Sequence, residues 1–147
     1  GQGHIGGVVK VIKTLIVLVF LVSPVYAEEQ RRTFLFIGEP SAAAWKILME
    51  NPVDRREVVV KAFNALGGEM LSYYFGLGDG RNYIVVTLPD DNEIVQAIYL
   101  MRMPTGLLKS YEITELMDSA QMVEAMKKSN EFTELEKSMS LEGDDNE

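Results

Sequence analysis

The sequence lacks the residue types on which many active sites depend. Its 147 residues include no cysteine and one histidine, His4. Without cysteine, neither disulfide bonds nor thiolate metal sites can form. His4 lies in a segment that we expect to be removed, and without it the chain cannot build a Ser-His-Asp triad, a Cys-His pair, a His-ligated haem or an ordinary structural zinc site. We therefore expect no metal and no cofactor.

Positive charge is also scarce. The chain has 14 Lys and Arg residues against 22 Asp and Glu residues, which gives a formal net charge of −8 and a pI of about 4.7. Nucleic acids and anionic membrane surfaces are bound through basic patches, so neither is an expected partner. With 47% hydrophobic and 24% charged residues, the composition is that of a globular protein. The length suits one domain.

An uninterrupted apolar run occurs within the first 27 residues, at Leu15 to Val22. It follows Lys10 and Lys13 and precedes Val25-Tyr26-Ala27, which has the small residues of a signal-peptidase site before Glu28. The run is shorter than the roughly 20 residues needed to span a bilayer. We predict a cleaved signal peptide over residues 1–27 and export to the periplasm or the extracellular space. The alternative is a retained anchor, so membrane contact is expected only through an uncleaved signal.

Cleavage changes the chemistry that the chain can carry. The leader holds His4 and two basic residues but no acid, so 12 basic residues remain against all 22 acidic ones. The formal net charge becomes −10, and no histidine is left.

The remaining sequence predicts alternating strands and helices. The predicted strands are Arg31–Gly38, Met70–Phe75, Tyr83–Leu88 and Leu107–Ile113. The predicted helices are Ala42–Glu50, which Ser41 caps and Asn51-Pro52 interrupts; a second segment that follows to Leu66, where Gly67 and Gly68 stop it; Asn92–Met103, which Asp90-Asp91 caps; and Ser119–Lys128, continuing to Lys137. This order predicts an α+β, ferredoxin-like βαββαβ domain over residues 28–137, with a four-stranded antiparallel sheet, helices on one face and an extra C-terminal helix. The acidic residues 138–147 are predicted to form a disordered tail.

Both faces of the predicted sheet are apolar, although an antiparallel sheet covered on one side should be polar on the other. A second copy packed face to face would cover the second set, which predicts a homodimer of the dimeric α+β barrel type. The alternative is a monomer whose C-terminal helix folds over the open face. Successive side chains of a strand lie on opposite faces of the sheet. The residues predicted on opposite faces are Phe34 and Phe36 against Leu35 and Ile37 in the first strand, Leu71 and Tyr73 against Met70 and Tyr74 in the second, and Val85 against Ile84 and Val86 in the third.

Several short signatures recur in order, and together they resemble the GYD family of small proteins. They are Ala44-Trp45-Lys46, Asn51-Pro52-Val53-Asp54-Arg55-Arg56, Leu66-Gly67-Gly68, Leu71-Ser72-Tyr73-Tyr74-Phe75 and Leu88-Pro89-Asp90-Asp91. The resemblance covers roughly Thr33 to Lys128 and implies a ferredoxin-like fold, oligomers and no established activity. At the Gly-Tyr-Asp turn that names the family, this chain reads Gly80-Arg81-Asn82-Tyr83-Ile84, and its aspartate, Asp79, precedes the glycine.

Few residues are candidates for a site. Gly76, Gly78 and Gly80 fit a hairpin turn better than a phosphate loop, because a strand and not a helix follows them. The motif turn comprises Gly78, Asp79, Gly80, Asn82 and Tyr83, and within it Tyr83 with Asp79 is the candidate for proton transfer. Arg55 and Arg56 are candidates for holding an anionic ligand at a dimer cleft, and Tyr73 is a candidate for lining a ligand pocket. An alternative is a copper site with thioether ligands, for which the candidates are Met101 and Met103 or the pair Met122 and Met126.

Three functions remain open. The first is a non-enzymatic, exported oligomeric module that binds a small molecule or a protein. The second is a small-molecule enzyme of the dimeric α+β barrel type that uses Tyr, Asp or Arg. The third is a structural assembly protein.

Overall fold

The computed structural model describes residues 30–144, and these form one antiparallel sheet with helices packed on one face. The strand order is β2-β3-β1-β4. The predicted ferredoxin-like α+β fold is therefore confirmed, while the predicted signal peptide lies outside the described residues. In chain order the elements are β1 (Arg31–Pro40), α1 (Ala42–Glu50), α2 (Arg56–Ala65), β2 (Glu69–Phe75), β3 (Asn82–Pro89), α3 (Asn92–Arg102), a 3₁₀ turn (Met103–Thr105), β4 (Leu108–Leu116) and α4 (Ser119–Asp144).

The core lies between the helices and the two central strands. Phe36 of β1 is fully buried, and its ring centroid lies 5.6 Å from that of Phe63 on α2 and 5.8 Å from that of Tyr111 on β4. Val86 and Leu88 of β3 are fully buried beside it. The period of two in β1 and β3 places these side chains on the same face.

Side-chain caps and glycines set the helix boundaries where the sequence predicts them. The Ser41 hydroxyl accepts a hydrogen bond from Ala44 N at the start of α1, and the Asp91 carboxylate accepts from Glu93 N at 2.8 Å at the start of α3. Gly67, with φ of 76°, follows the end of α2, in a conformation that side-chain-bearing residues rarely adopt. The two caps mark where α1 and α3 begin, and Gly67 lies just beyond the end of α2.

Strand β2 contains a bulge that the sequence does not reveal. Met70 pairs with Val86, but Ser72 pairs with Val85, so Leu71 is the extra residue. The simple alternation predicted above, with Leu71 and Tyr73 on one face, is wrong. Met70 and Tyr73 both pack against the core, and Ser72 and Tyr74 lie on the opposite face.

The C-terminal helix α4 does not cover the sheet. Its side chains from Ser119 to Leu141 are exposed, apart from the partly exposed Ala125. A helix that covered the sheet would bury an apolar stripe, so the predicted alternative of a covered monomer is contradicted. The helix also runs to Asp144, into the segment predicted to be a disordered tail, and Lys127–Glu124 and Lys137–Glu134 pairs support it along its length.

No helix in the described part of the chain is both long and apolar enough to cross a membrane.

Candidate functional site

The turn between β2 and β3 is the first candidate region, and it is a hairpin turn as predicted. Gly76 N donates a hydrogen bond to Arg81 O at 3.0 Å and closes the loop. Gly78 and Gly80 have φ values of 79° and 71°, the left-handed region that favours glycine. The glycines therefore serve the turn geometry.

The structure brings together the predicted pair Asp79 and Tyr83 across this turn. The Tyr83 hydroxyl donates to Asp79 Oδ2, while Asp79 Oδ1 accepts from Arg81 N at 2.8 Å. The hydrogen bond from Tyr83 lowers the pKa of Asp79, and the same bond raises the pKa of Tyr83. Near neutral pH, Asp79 is therefore a carboxylate and Tyr83 a neutral phenol. Each pKa lies further from neutral pH than it would without the hydrogen bond, so each group is less suited to proton transfer.

Glu39, which the sequence did not single out, forms a charged cluster at the same end of the sheet. Its carboxylate lies 3.8 Å from Arg81 Nε and 3.6 Å from Lys109 Nζ, and it accepts a hydrogen bond from Ser110 Oγ at 3.2 Å. The cross-strand pairing of Glu39 with Ser110 brings these groups together. That pairing depends on the register of β1 with β4, which the sequence does not state.

The second candidate region is a cleft of about 580 Å³ beside the α1–α2 connection. Tyr73 and Arg55, both predicted ligand-binding residues, line it together. Burial is the main cause of the raised pKa of Tyr73. Arg56, predicted with them, is not among the lining residues, and its guanidinium donates to the backbone oxygen of Tyr73 at 3.4 Å. Asn82 of the motif turn also faces this cleft.

Sequence reasoning missed most of the apolar wall of this cleft. Trp45 and Leu48 come from α1, Val53 from the connection, and Leu107 from the segment before β4. The first three are close in the sequence, and Leu107 joins them only through the packing of elements that are far apart in the chain. The repeated aromatic residues at Tyr73 and Phe75 were the one available signal.

A shallower groove of about 460 Å³ lies beside α3, and an arginine fills its polar side. Arg32 Nη2 lies 2.5 Å from Glu115 Oε1, Arg32 Nη1 donates to Asn92 Oδ1 at 2.7 Å, and the guanidinium carbon lies 5.1 Å from the centroid of the Phe34 ring. Because the guanidinium donors of Arg32 are already used, Arg32 is better explained as part of a structural ion pair than as a ligand-binding residue of this groove.

The remaining candidates are the methionines. Met101 lies in α3 and Met103 in the following turn, 53% and 37% exposed, and Met122 and Met126 lie in the exposed α4. Among the side chains that the structure describes, no cluster of three or more His, Cys, Asp or Glu residues could hold a metal ion. The thioether copper site stays a prediction.

Comparison with known proteins identifies the family of this chain. The family model of the GYD domain matches residues 34–126. No curated protein matches the chain. The matched segment extends from the fourth residue of β1 into the first turns of α4, so it includes most of β1, the other three strands, the β2–β3 turn and the cleft. The chain belongs to the GYD domain family.

Proposed function

We propose that this chain is a non-enzymatic, exported module that assembles as a homodimer through the uncovered face of its sheet. The observation that supports this most strongly is the composition of that face. Its central positions, on β1 and β3, carry apolar, hydroxyl or aromatic side chains and no charge. These positions are Thr33, Leu35, Ile37, Tyr83, Val85 and Thr87.

Charged groups lie around the margin of the same face. Arg31 and Glu39 are at the two ends of β1, while Glu69 and Glu112 are on the edge strands. Arg31 is tied down by hydrogen bonds to Thr87 and to Gly67 O. An uncharged centre within a polar rim is the usual anatomy of a protein interface.

The size of the face also suits a second copy. Four strands about 4.8 Å apart, over about eight residues that rise about 3.3 Å each, give a projected area of about 500 Å². The accessible area of a rough face exceeds its projected area, so it approaches the roughly 800 Å² per partner of a standard interface. Two antiparallel sheets can pack face to face, at an angle that arises from the twist of each sheet.

The alternative of an enzyme finds less support. Its candidate pair, Tyr83 and Asp79, has pKa values moved apart, with that of the phenol raised and that of the carboxylate lowered. Proton transfer at neutral pH needs groups whose pKa values approach the working pH. The third alternative, a structural assembly protein, differs from our proposal in predicting assemblies larger than a dimer.

Sedimentation equilibrium of the chain without residues 1–27 and of its Val85→Lys variant tests the dimer. Val85 lies at the centre of the face, so a lysine there buries an unpaired ammonium group in each subunit. We expect the dissociation constant to rise at least ~100-fold. Leu77→Lys is the matched control, because Leu77 is a fully exposed apolar residue on the β2–β3 turn.

A monomeric parent chain at millimolar concentration contradicts the proposal, as does equal weakening by the two variants. A larger assembly favours the structural alternative. Export has a separate test, which is N-terminal sequencing of the protein from its natural host. We expect the chain to begin at Glu28, and an intact leader in the bulk of the protein contradicts export by cleavage.

A further inference from the structure

The cleft beside the α1–α2 connection has an apolar body and a polar end, all from one subunit. Trp45 and Leu48 of α1, Phe75 of β2 and Leu107 before β4 supply apolar walls. Its volume of about 580 Å³ falls within the range of small-molecule sites, roughly 300 to 1,000 Å³. The site therefore has room for an organic molecule and is not simply a gap for water.

Charge at the polar end comes from two lining residues. Asp54 Oδ1 accepts a hydrogen bond from the backbone N–H of Arg56 at 2.9 Å, so one oxygen of this carboxylate is used in the turn that begins α2. Arg55 is the only cation in the lining, and in the described part of the chain its guanidinium has no hydrogen-bond or ion-pair partner. Burial raises the pKa of Tyr73, and the positive charge of Arg55 acts in the opposite direction.

We propose that this cleft binds a small organic carboxylate with an apolar body. Arg55 pairs with the carboxylate through charge-assisted hydrogen bonds, which are stronger than neutral ones. The apolar body lies against Trp45, Leu48 and Phe75. An unpaired arginine beside an apolar cavity distinguishes this place on a chain that carries a large excess of acids.

The chain contains its own reporter for this site. Trp45 is the single tryptophan of the sequence and lines the cleft. Titration with 4-phenylbutyrate, followed by tryptophan fluorescence excited at about 295 nm, should give a saturable change. The neutral amide, 4-phenylbutanamide, has the same shape without the charge, and we expect it to bind about tenfold more weakly.

Two arginines that are adjacent in the sequence provide the controls. Arg55→Gln should remove the preference for the acid over the amide, and Arg55→Lys should retain part of it. Arg56→Gln should leave the preference unchanged, because Arg56 is outside the lining and its guanidinium donates to the backbone oxygen of Tyr73. A preference that survives Arg55→Gln, or no saturable response of Trp45 to either ligand, overturns the inference.

The inference does not rest on the proposed dimer, since every lining residue belongs to one chain. Sedimentation equilibrium of the Arg55 variants measures their assembly, and so tests the dimer separately from the carboxylate site. A change in ligand preference with unchanged mass supports the carboxylate site. If the parent chain proves monomeric, a lost preference in Arg55→Gln still supports this site, while the dimer fails.

Discussion

Phe36→Ala removes the side chain on which three other aromatic rings converge. Phe36 is fully buried, and the centroids of Phe63, Tyr111 and Phe34 lie 5.6, 5.8 and 6.3 Å from its own. Truncation of a buried phenylalanine costs about 3–5 kcal/mol, and the loss of three ring contacts places this site near the upper part of that range. Against a total stability of about 5–15 kcal/mol, ~4 kcal/mol is a large fraction.

Urea unfolding, followed by far-UV circular dichroism at one protein concentration, measures this loss. With a slope of about 2 kcal/mol per molar urea, the midpoint should fall by ~2 M. Phe132→Ala is the matched control, because Phe132 is 64% exposed on α4 and alanine has the higher helix propensity. We expect its midpoint to move by less than ~0.5 M. Equal shifts in the two variants would refute the assignment of the core.

Three further predictions concern the glycines, the turn pair and the Arg32 ion pair. Gly68→Ala should lower the unfolding free energy by ~1–3 kcal/mol, since a Cβ there lies 2.8 Å from Leu88 Cδ2 and 3.1 Å from Phe63 O. A Cβ at Gly78 meets no atom within 4 Å, so Gly78→Ala should cost only the ~1 kcal/mol of its positive φ. In thermal unfolding, Gly68→Ala should therefore lower the melting temperature more than Gly78→Ala does. Asp79→Asn should bring the raised pKa of Tyr83 back towards its ordinary value in a ¹³C NMR titration, and an unchanged pKa refutes the hydrogen bond as its cause. The hydrogen bond from Arg32 lowers the pKa of Glu115. The Arg32–Glu115 pair therefore stabilises the fold fully above the ordinary carboxyl pKa, and this contribution is lost as the pH falls through the lowered pKa of Glu115. The stability of Arg32→Gln should lack this pH-dependent contribution when its acid unfolding is compared with that of the parent chain. Identical pH profiles for the parent chain and Arg32→Gln would count against a stabilising role of the pair.

The fold was predictable because its boundaries are set by local chemistry. Ser41 and Asp91 cap helices in the structure as they do in the sequence pattern, and Gly67 follows the helix that it was predicted to stop. With the element order known, right-handed crossovers leave few arrangements of the strands. The bulge at Leu71 was not predictable, because it depends on the register of β2 against β3 and not on a residue type.

The candidate site was predictable only where its parts are close in the sequence. Asp79 and Tyr83 meet because a tight turn brings positions four residues apart together. The cleft needs Leu107 beside Trp45, and the Glu39 cluster needs β1 paired with β4. Such contacts follow from tertiary packing, which a pattern of single residues does not encode.

The proposed dimer face and the proposed carboxylate site use opposite sides of the same strands. Tyr73 and Phe75 line the cleft, and Tyr74 between them lies on the open face, paired with Tyr83. On β3, Asn82 lines the cleft and the next residue, Tyr83, lies on the face. A pleated strand sends successive side chains to opposite sides, so a ligand that displaces the end of β2 displaces Tyr74 with it.

Coupling between two binding events is reciprocal, so a carboxylate that strengthens the dimer must bind the dimer more tightly by the same factor. We expect 4-phenylbutyrate to change the sedimentation equilibrium of the parent chain. The Trp45 titration should give different dissociation constants below and above the concentration of dimer formation. Val85→Lys should show only the monomer value at every protein concentration. Identical constants at all concentrations, in a parent chain that dimerises, would mean that the shared strands do not couple the two sites.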